Sequence, residues 1–240
     1  MYTLGRAVPF AADAVSYGIS VITSRQLEGD FASSAEAELR RGLWAEALDG
    51  LKHLWRDSLL RAVLIQAPLI NFAVSGAIFT VILGLRKHGV TAVVIGAAEA
   101  VIMTGGLVGA VPAPQIRSRV SVRQALLLLT GWGAVAMLAA AAIMPSPAVA
   151  VPLAIPLVLS PATNAALFAL MLRGTPPAMH GRVTNSIMQV ATALAALAPL
   201  ASGLVVERAS AGWAMVLFAA ALAVVVPIAL LFPANEEEAG

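Results

Sequence analysis

Long apolar runs separated by short polar segments dominate the hydropathy pattern of this chain. Seven runs approach the roughly 20 residues that an α-helix needs to cross a bilayer. They lie at about 7–24, 62–85, 91–111, 125–144, 148–172, 185–206 and 212–232. A bilayer demands that backbone polar groups be satisfied within each segment, so the runs should be helices. The pattern predicts an all-α membrane protein with about seven transmembrane helices.

Composition points in the same direction. The 240-residue chain is 60% hydrophobic and 12% charged, and it has no cysteine, whereas soluble globular chains are about 45–50% apolar and about 25% charged. Polar residues are too few to cover a water-soluble globule, which disfavours a soluble enzyme or a disulfide-bonded secreted domain. The net charge is only +2 and the basic residues are scattered, so we expect no nucleic-acid partner.

Loop charges predict the topology of the helices. Eleven of the 15 Lys and Arg residues fall in segments 25–61, 112–124 and 173–184, and four lie on the other side. Basic loops favour the cytoplasmic side of a membrane. We therefore expect an N-terminus outside the cell and a C-terminus inside it.

The runs divide the chain into four parts. Residues 1–24 form the first transmembrane helix, 25–61 a cytoplasmic linker, 62–232 a six-helix bundle and 233–240 an acidic cytoplasmic tail. In the linker, Ser33 and Glu36 fit a capping box ahead of an amphipathic helix. That helix either packs on the bundle as a connector or lies against lipid.

Five short segments go beyond composition and resemble the major facilitator superfamily. They are residues 13–17 (DAVSY), 50–55 (GLKHLW), 109–119 (GAVPAPQIRSR), 175–183 (TPPAMHGRV) and 198–203 (APLASG). The resemblance is to the bacterial exporter branch that includes enterobactin-exporter-like proteins. It implies that the first helix matches helix six of twelve, and that the last six form one six-helix half of a major facilitator fold.

The resemblance implies secondary active transport in a bacterial cytoplasmic membrane. The expected activity is proton-coupled efflux of a small, largely apolar molecule, drug-like or siderophore-like, without enzymatic activity or a cofactor. Family members enclose their cavity between two halves, so this half would need a second six-helix half or a homodimer. The alternative is a non-transporting truncated membrane protein or an assembly subunit.

Glu99 is the candidate for proton coupling because it lies in the middle of an apolar run. An ionised acid at the bilayer centre costs roughly 2.5–3.5 kcal/mol on insertion scales, so such residues are frequently functional. The carboxyl group would bind and release a proton or pair with a cationic substrate. The structural alternative is a protonated, hydrogen-bonded side chain that only packs.

Other polar residues within or at the start of the runs are candidates for the substrate cavity, because they need partners in lipid. They are Asn71, Asn164, Gln66, Asn185 and Gln189. Asn71 and Asn164 are the leading substrate contacts, and for the others interhelical hydrogen bonding is favoured over substrate contact. The Gly105 to Gly109 spacing predicts close helix packing.

Three arginines border the cytoplasmic loops, namely Arg117, Arg119 and Arg182. By the resemblance they are gating-loop residues that latch helices together, and simple positive-inside anchoring explains them equally well. The three histidines lie in separate loops without a ligand motif, so we expect no metal site.

Overall fold

The computed structural model describes residues 13–23, 51–52 and 54–231, and all regular structure in these ranges is helical. Residues 13–23 form helix α1 within a compact unit, 1–45, that is distinct from the unit formed by 46–240. Its hydroxyls bond to their own backbone, as Ser20 Oγ does to the Ser16 carbonyl at 3.0 Å. The rest of the predicted first span, the Ser33–Glu36 capping box and the acidic tail lie outside the described residues.

The second unit is a bundle of helices joined by short turns. After Asp57 they are α2 (Ser58–Lys87), α3 (Ala92–Ala110), α4 (Ala113–Arg119), α5 (Val122–Ile143), α6 (Ala150–Leu157), α7 (Ser160–Arg173), α8 (His180–Ala195), α9 (Ala198–Arg208) and α10 (Ala211–Ala229). Single turns of 3₁₀-helix at Pro147–Val149 and Pro177–Met179 precede α6 and α8.

Six segments of this unit are long and apolar enough to cross a membrane. They are span 1 (Ser58–Lys87), span 2 (Ala92–Ala110), span 3 (Val122–Ile143), span 4 (Pro147–Arg173), span 5 (His180–Arg208) and span 6 (Ala211–Ala229). Six of the seven predicted runs are thereby confirmed, close to their predicted bounds. The bundle is that of an all-α, membrane-embedded protein.

Polar side chains fix where the spans begin. The Asp57 carboxylate accepts hydrogen bonds from the backbone N–H groups of Leu59 and Leu60, at 2.8 and 2.9 Å. Ser121 and Gln124 form a reciprocal capping box at the start of span 3. These side chains satisfy N–H groups that a helix start leaves without a backbone partner. Spans 1 and 3 therefore start at the capping residue and not at the first apolar residue.

Spans 4 and 5 are each broken near their middle. Span 4 divides into α6 and α7 at residues 158–159, and span 5 divides into α8 and α9 at residues 196–197. Proline follows each break, and it has no N–H group to donate to the carbonyl four residues earlier. Pro161 thus deprives Leu157 of a helical hydrogen bond, and Pro199 does the same to Ala195.

The packing of the six spans is internally symmetric. Span 1 packs against spans 5 and 6, and span 4 packs against spans 2 and 3. Spans 3 and 6 also pack against each other. Exchanging spans 1, 2 and 3 with spans 4, 5 and 6 therefore maps the five most extensive contacts onto themselves. The bundle therefore consists of two three-span units whose main contacts correspond under this exchange, which we call the two-fold relation.

Two apolar clusters fill the bundle interior, one above the other along span 1. One contains Ala77, Val81 and Phe218, and the other contains Leu60, Val63 and Leu126. Leu167, Val183 and Ala229 join the second cluster. The second cluster therefore gathers the arginine-bearing ends of the spans, which we call the arginine-rich end.

Candidate functional site

A small cavity lies at the centre of the bundle, between spans 1, 2, 3, 4 and 6. Its volume is about 40 Å³, and its lining includes Val74, Ile102, Met137, Leu157 and Leu222. All side chains that line the cavity are apolar. They therefore offer none of the two to four polar partners that a buried water needs. The cavity separates spans 1 and 4, which correspond to each other in the two-fold relation.

Glu99 is half-buried on span 2, three residues before the cavity-lining Ile102. Residues three apart lie on the same side of a helix. Its carboxylate forms no hydrogen bond or ion pair with another residue of the described ranges. The structure therefore places an acid without a partner in the described ranges on span 2, one turn from Ile102, and Glu99 itself is not among the residues that line the cavity.

Asn71 and Asn164 are carried by spans 1 and 4, on either side of the cavity. Both side chains are exposed on the six-span bundle. The Asn71 amide donates to the Ala67 carbonyl at 2.9 Å, and that of Asn164 donates to Ser160 Oγ at 3.3 Å. These bonds are local to one helix, so both carbonyl oxygens remain available to accept from a ligand or another subunit.

Gln66 differs from the other candidates because its side chain is fully buried. Its exposed fraction is 0%, and neither the amide oxygen nor the amide nitrogen has a hydrogen-bond partner in the described structure. Leaving a buried polar group unpaired costs about 1–3 kcal/mol. The amide lies between the two apolar clusters, one helical turn from the cavity-lining Ile70.

Asn185 and Gln189 are exposed on α8, together with Thr192. The opposite face of α8 is apolar and buries Val183 and Ile187. Neither amide side chain bonds to another helix within the described residues, so interhelical hydrogen bonding by this pair is not observed. The half of span 5 at the arginine-rich end thus presents a polar stripe at membrane depth.

The three candidate arginines all lie at the arginine-rich end. Arg117 and Arg119 are exposed on α4, which packs against α7. Arg182 is half-buried in the first turn of α8 and takes part in an interaction of its own. The structure gathers these residues at one end of the bundle, and it does not bring them close to Glu99 or to the central cavity.

The Gly105–Gly109 prediction of close packing is confirmed. A Cβ atom built on Gly105 would lie 2.0 Å from the Ala154 carbonyl oxygen, and one on Gly109 would lie 2.0 Å from that of Val158. Spans 2 and 4 therefore touch backbone to backbone at the break in span 4. Small residues permit such approach in membranes.

A hydroxyl network between spans 1 and 5 was not predicted from the sequence. Ser202 Oγ donates to the Gly76 carbonyl at 2.9 Å, and Thr80 Oγ1 donates to the same oxygen at 2.7 Å. Ser202 and Thr80 also approach each other at 3.2 Å. The only sequence signal was the presence of small hydroxyl residues next to glycines inside apolar runs, which is too common to single these positions out.

Among the described residues, no three His, Cys, Asp or Glu side chains cluster closely enough to hold a metal ion. No protein-family model, no curated protein and no solved structure matches the chain. Only the geometry of the bundle therefore indicates a function.

Proposed function

We propose that this chain forms one six-helix half of a secondary active transporter of the major facilitator type. It would export a small, largely apolar molecule in exchange for protons across a bacterial cytoplasmic membrane. The N-terminus would lie outside the cell and the C-terminus inside. A second six-helix half, either another chain or a second copy, would complete the transport path.

The observation that carries this proposal is the two-fold packing of spans 1–3 on spans 4–6. Consecutive spans joined by short turns cross the membrane in opposite directions, so spans 1 and 4 run oppositely and the repeat is inverted. Inverted three-span repeats within each six-span half characterise major facilitator transporters. The broken spans 4 and 5 also suit the discontinuous helices on which transporters rely.

Glu99 has the environment that a coupling residue requires. It is half-buried, it lies one turn from the cavity-lining Ile102, and the described chain gives it no ion-pair partner. Intramembrane acids in transporters commonly relay protons. Asn71 and Asn164 would contact the substrate, because corresponding spans carry them and both side chains are exposed on the bundle.

The proposal is tested with the purified protein in proteoliposomes under an imposed proton gradient. A lipophilic fluorescent dye serves as the probe, and proton flux is followed with a pH indicator. We expect the Glu99→Gln variant to lose dye-coupled proton movement completely while inserting normally. Glu207→Gln is the matched control, because Glu207 is exposed at the last turn of span 5 and not within the middle of a span.

Two results would contradict the proposal. Coupled flux by Glu99→Gln at the wild-type rate would remove Glu99 from the mechanism. Absence of dye and proton movement by the wild-type protein, as a monomer and as an assembled oligomer, would favour the non-transporting alternative.

The proposed topology can be tested without background labelling because the chain has no cysteine. Thr91→Cys places a thiol in the turn between spans 1 and 2, and Ser118→Cys places one on α4 at the arginine-rich end. A membrane-impermeant maleimide added to intact cells should label Thr91→Cys and spare Ser118→Cys. The reverse pattern would invert the orientation.

The polar stripe on α8 favours a second candidate, a non-transporting subunit that assembles with another membrane protein. Asn185, Gln189 and Thr192 would lack partners against lipid, whereas another protein would supply them. Native mass spectrometry of protein from source membranes discriminates the candidates. A stable complex of two six-span halves supports the transporter, and a complex with unrelated partners supports the subunit.

A further inference from the structure

A groove runs along the surface where spans 2 and 4 meet, on the opposite side of their contact from the central cavity. Val101, Thr104 and Val108 form one wall, and Val151, Ile155 and Val158 form the other, around a volume of about 320 Å³. Val108 and Ile155 expose 55% and 61% of their surface. Because Gly105 and Gly109 lie directly against span 4, the larger side chains on both sides of this contact form the walls of the groove.

The groove is apolar throughout. Its single hydroxyl, Thr104 Oγ1, donates to the Ala100 carbonyl at 2.7 Å, so its proton is already bonded within span 2. Val101, Thr104 and Val108 are spaced by three and four residues along span 2. The same spacing leads to Val111, which is exposed at the arginine-rich end. The groove thus leads from the middle of the span toward α4.

Basic side chains stand at that end of the groove. Arg117 and Arg119 are exposed on α4, and neither forms a hydrogen bond or ion pair with another residue that the structure describes. Between residues 58 and 206, Glu99 is the only acidic residue of the sequence. The acid that the structure describes at this end is Asp57, and its carboxylate accepts hydrogen bonds from the backbone of Leu59 and Leu60.

We propose that this surface binds an anionic phospholipid, with one acyl chain in the groove between spans 2 and 4 and the phosphate at Arg117 and Arg119. A narrow apolar groove at membrane depth matches a single acyl chain, and basic groups beside a span attract anionic headgroups. The site requires membrane insertion only, so it stands whether or not the chain transports.

Binding is measured by native mass spectrometry of the purified full chain in detergent, titrated with phosphatidylglycerol or phosphatidylcholine bearing identical acyl chains. We expect phosphatidylglycerol to bind more tightly. Arg117→Gln with Arg119→Gln should weaken that binding roughly tenfold to thirtyfold, toward the level of phosphatidylcholine. Arg86→Gln with Arg208→Gln, which removes the same charge at the opposite end, should leave binding unchanged.

A second pair of variants tests the groove. Val108→Trp fills the groove from an exposed position and should weaken both phospholipids. Val93→Trp is the control, because Val93 is 82% exposed on the same helix and lies outside the groove. Glycerol phosphate, which has the headgroup charge without acyl chains, should compete only weakly.

The proposal fails if the two phospholipids bind equally, or if the Arg86 and Arg208 variant weakens phosphatidylglycerol as much as the Arg117 and Arg119 variant. Unchanged binding by Val108→Trp would overturn the acyl-chain assignment. Full competition by glycerol phosphate at equal concentration would do the same and leave a free-phosphate site.

Discussion

The contact between spans 2 and 4 and the contact between spans 1 and 5 occupy corresponding places in the two-fold arrangement, yet different chemistry closes them. In the first, Gly105 and Gly109 bring two backbones together without side-chain hydrogen bonds. In the second, Ser202 and Thr80 donate to the Gly76 carbonyl. Equivalent helix crossings in one bundle can thus be stabilised by close approach or by buried hydroxyls.

The two contacts should respond differently to substitution. A carbonyl oxygen of the neighbouring backbone cannot rotate away as a side chain can, so extra volume between spans 2 and 4 forces the helices apart. Between spans 1 and 5, Ser202 takes part in both hydroxyl bonds that cross between the helices, and Lys87 Nζ donates separately to the Val206 carbonyl at 3.0 Å. The loss of one hydroxyl therefore leaves a crossing bond in place. Steric substitutions should therefore be more damaging than the loss of a hydroxyl.

The largest effect is expected from Gly105→Ala. Its Cβ would lie 2.0 Å from the Ala154 carbonyl oxygen, so we expect a loss of stability of about 3 kcal/mol, the upper end of the overpacking range. Gly106→Ala is the matched control, because a Cβ there meets nothing within 4 Å. Thermal unfolding in detergent measures both, and equal melting temperatures would show that the contact between spans 2 and 4 is looser than described.

Gln66→Leu should change stability in the opposite direction. Replacing the unpaired buried amide with an apolar side chain of similar size removes a desolvation penalty of about 1–3 kcal/mol. Gln66→Asn keeps an amide and serves as the comparison. A Gln66→Leu variant less stable than wild type in the same detergent would indicate that water or another group satisfies the amide in solution.

The smallest effect is expected from Ser202→Ala. Hydrogen bonds between membrane helices average about 0.6 kcal/mol in double-mutant cycles, and Thr80 still donates to the Gly76 carbonyl after the change. A cycle combining Ser202→Ala with Thr80→Val measures the coupling between the two hydroxyls. If Ser202→Ala lost as much stability as Gly105→Ala, the contact between spans 1 and 5 would depend on one hydroxyl as strongly as the contact between spans 2 and 4 depends on one glycine.

Much of the fold could be predicted from the sequence because a bilayer imposes a simple rule on each span. Apolar runs placed all six spans of the described bundle, and the Gly105–Gly109 spacing predicted the close contact that the structure confirms. The candidate site was harder to predict from the sequence. Asn71 and Gln66 look alike in the sequence, yet one side chain is exposed and the other is fully buried.

Hydropathy by itself determined how many apolar helices the bundle has, and capping residues determined where spans 1 and 3 begin. Proline favours the breaks in spans 4 and 5 without determining them alone, because Pro68 and Pro227 lie within unbroken helices. These are local properties, set by the cost of leaving a backbone group unbonded. Only the tertiary structure decided which spans pair, that Ser202 reaches the Gly76 carbonyl, and that Gln66 is buried without a partner. Such features depend on how helices distant in sequence cross, and an apolar run of almost uniform hydrophobicity does not specify which of its faces is covered.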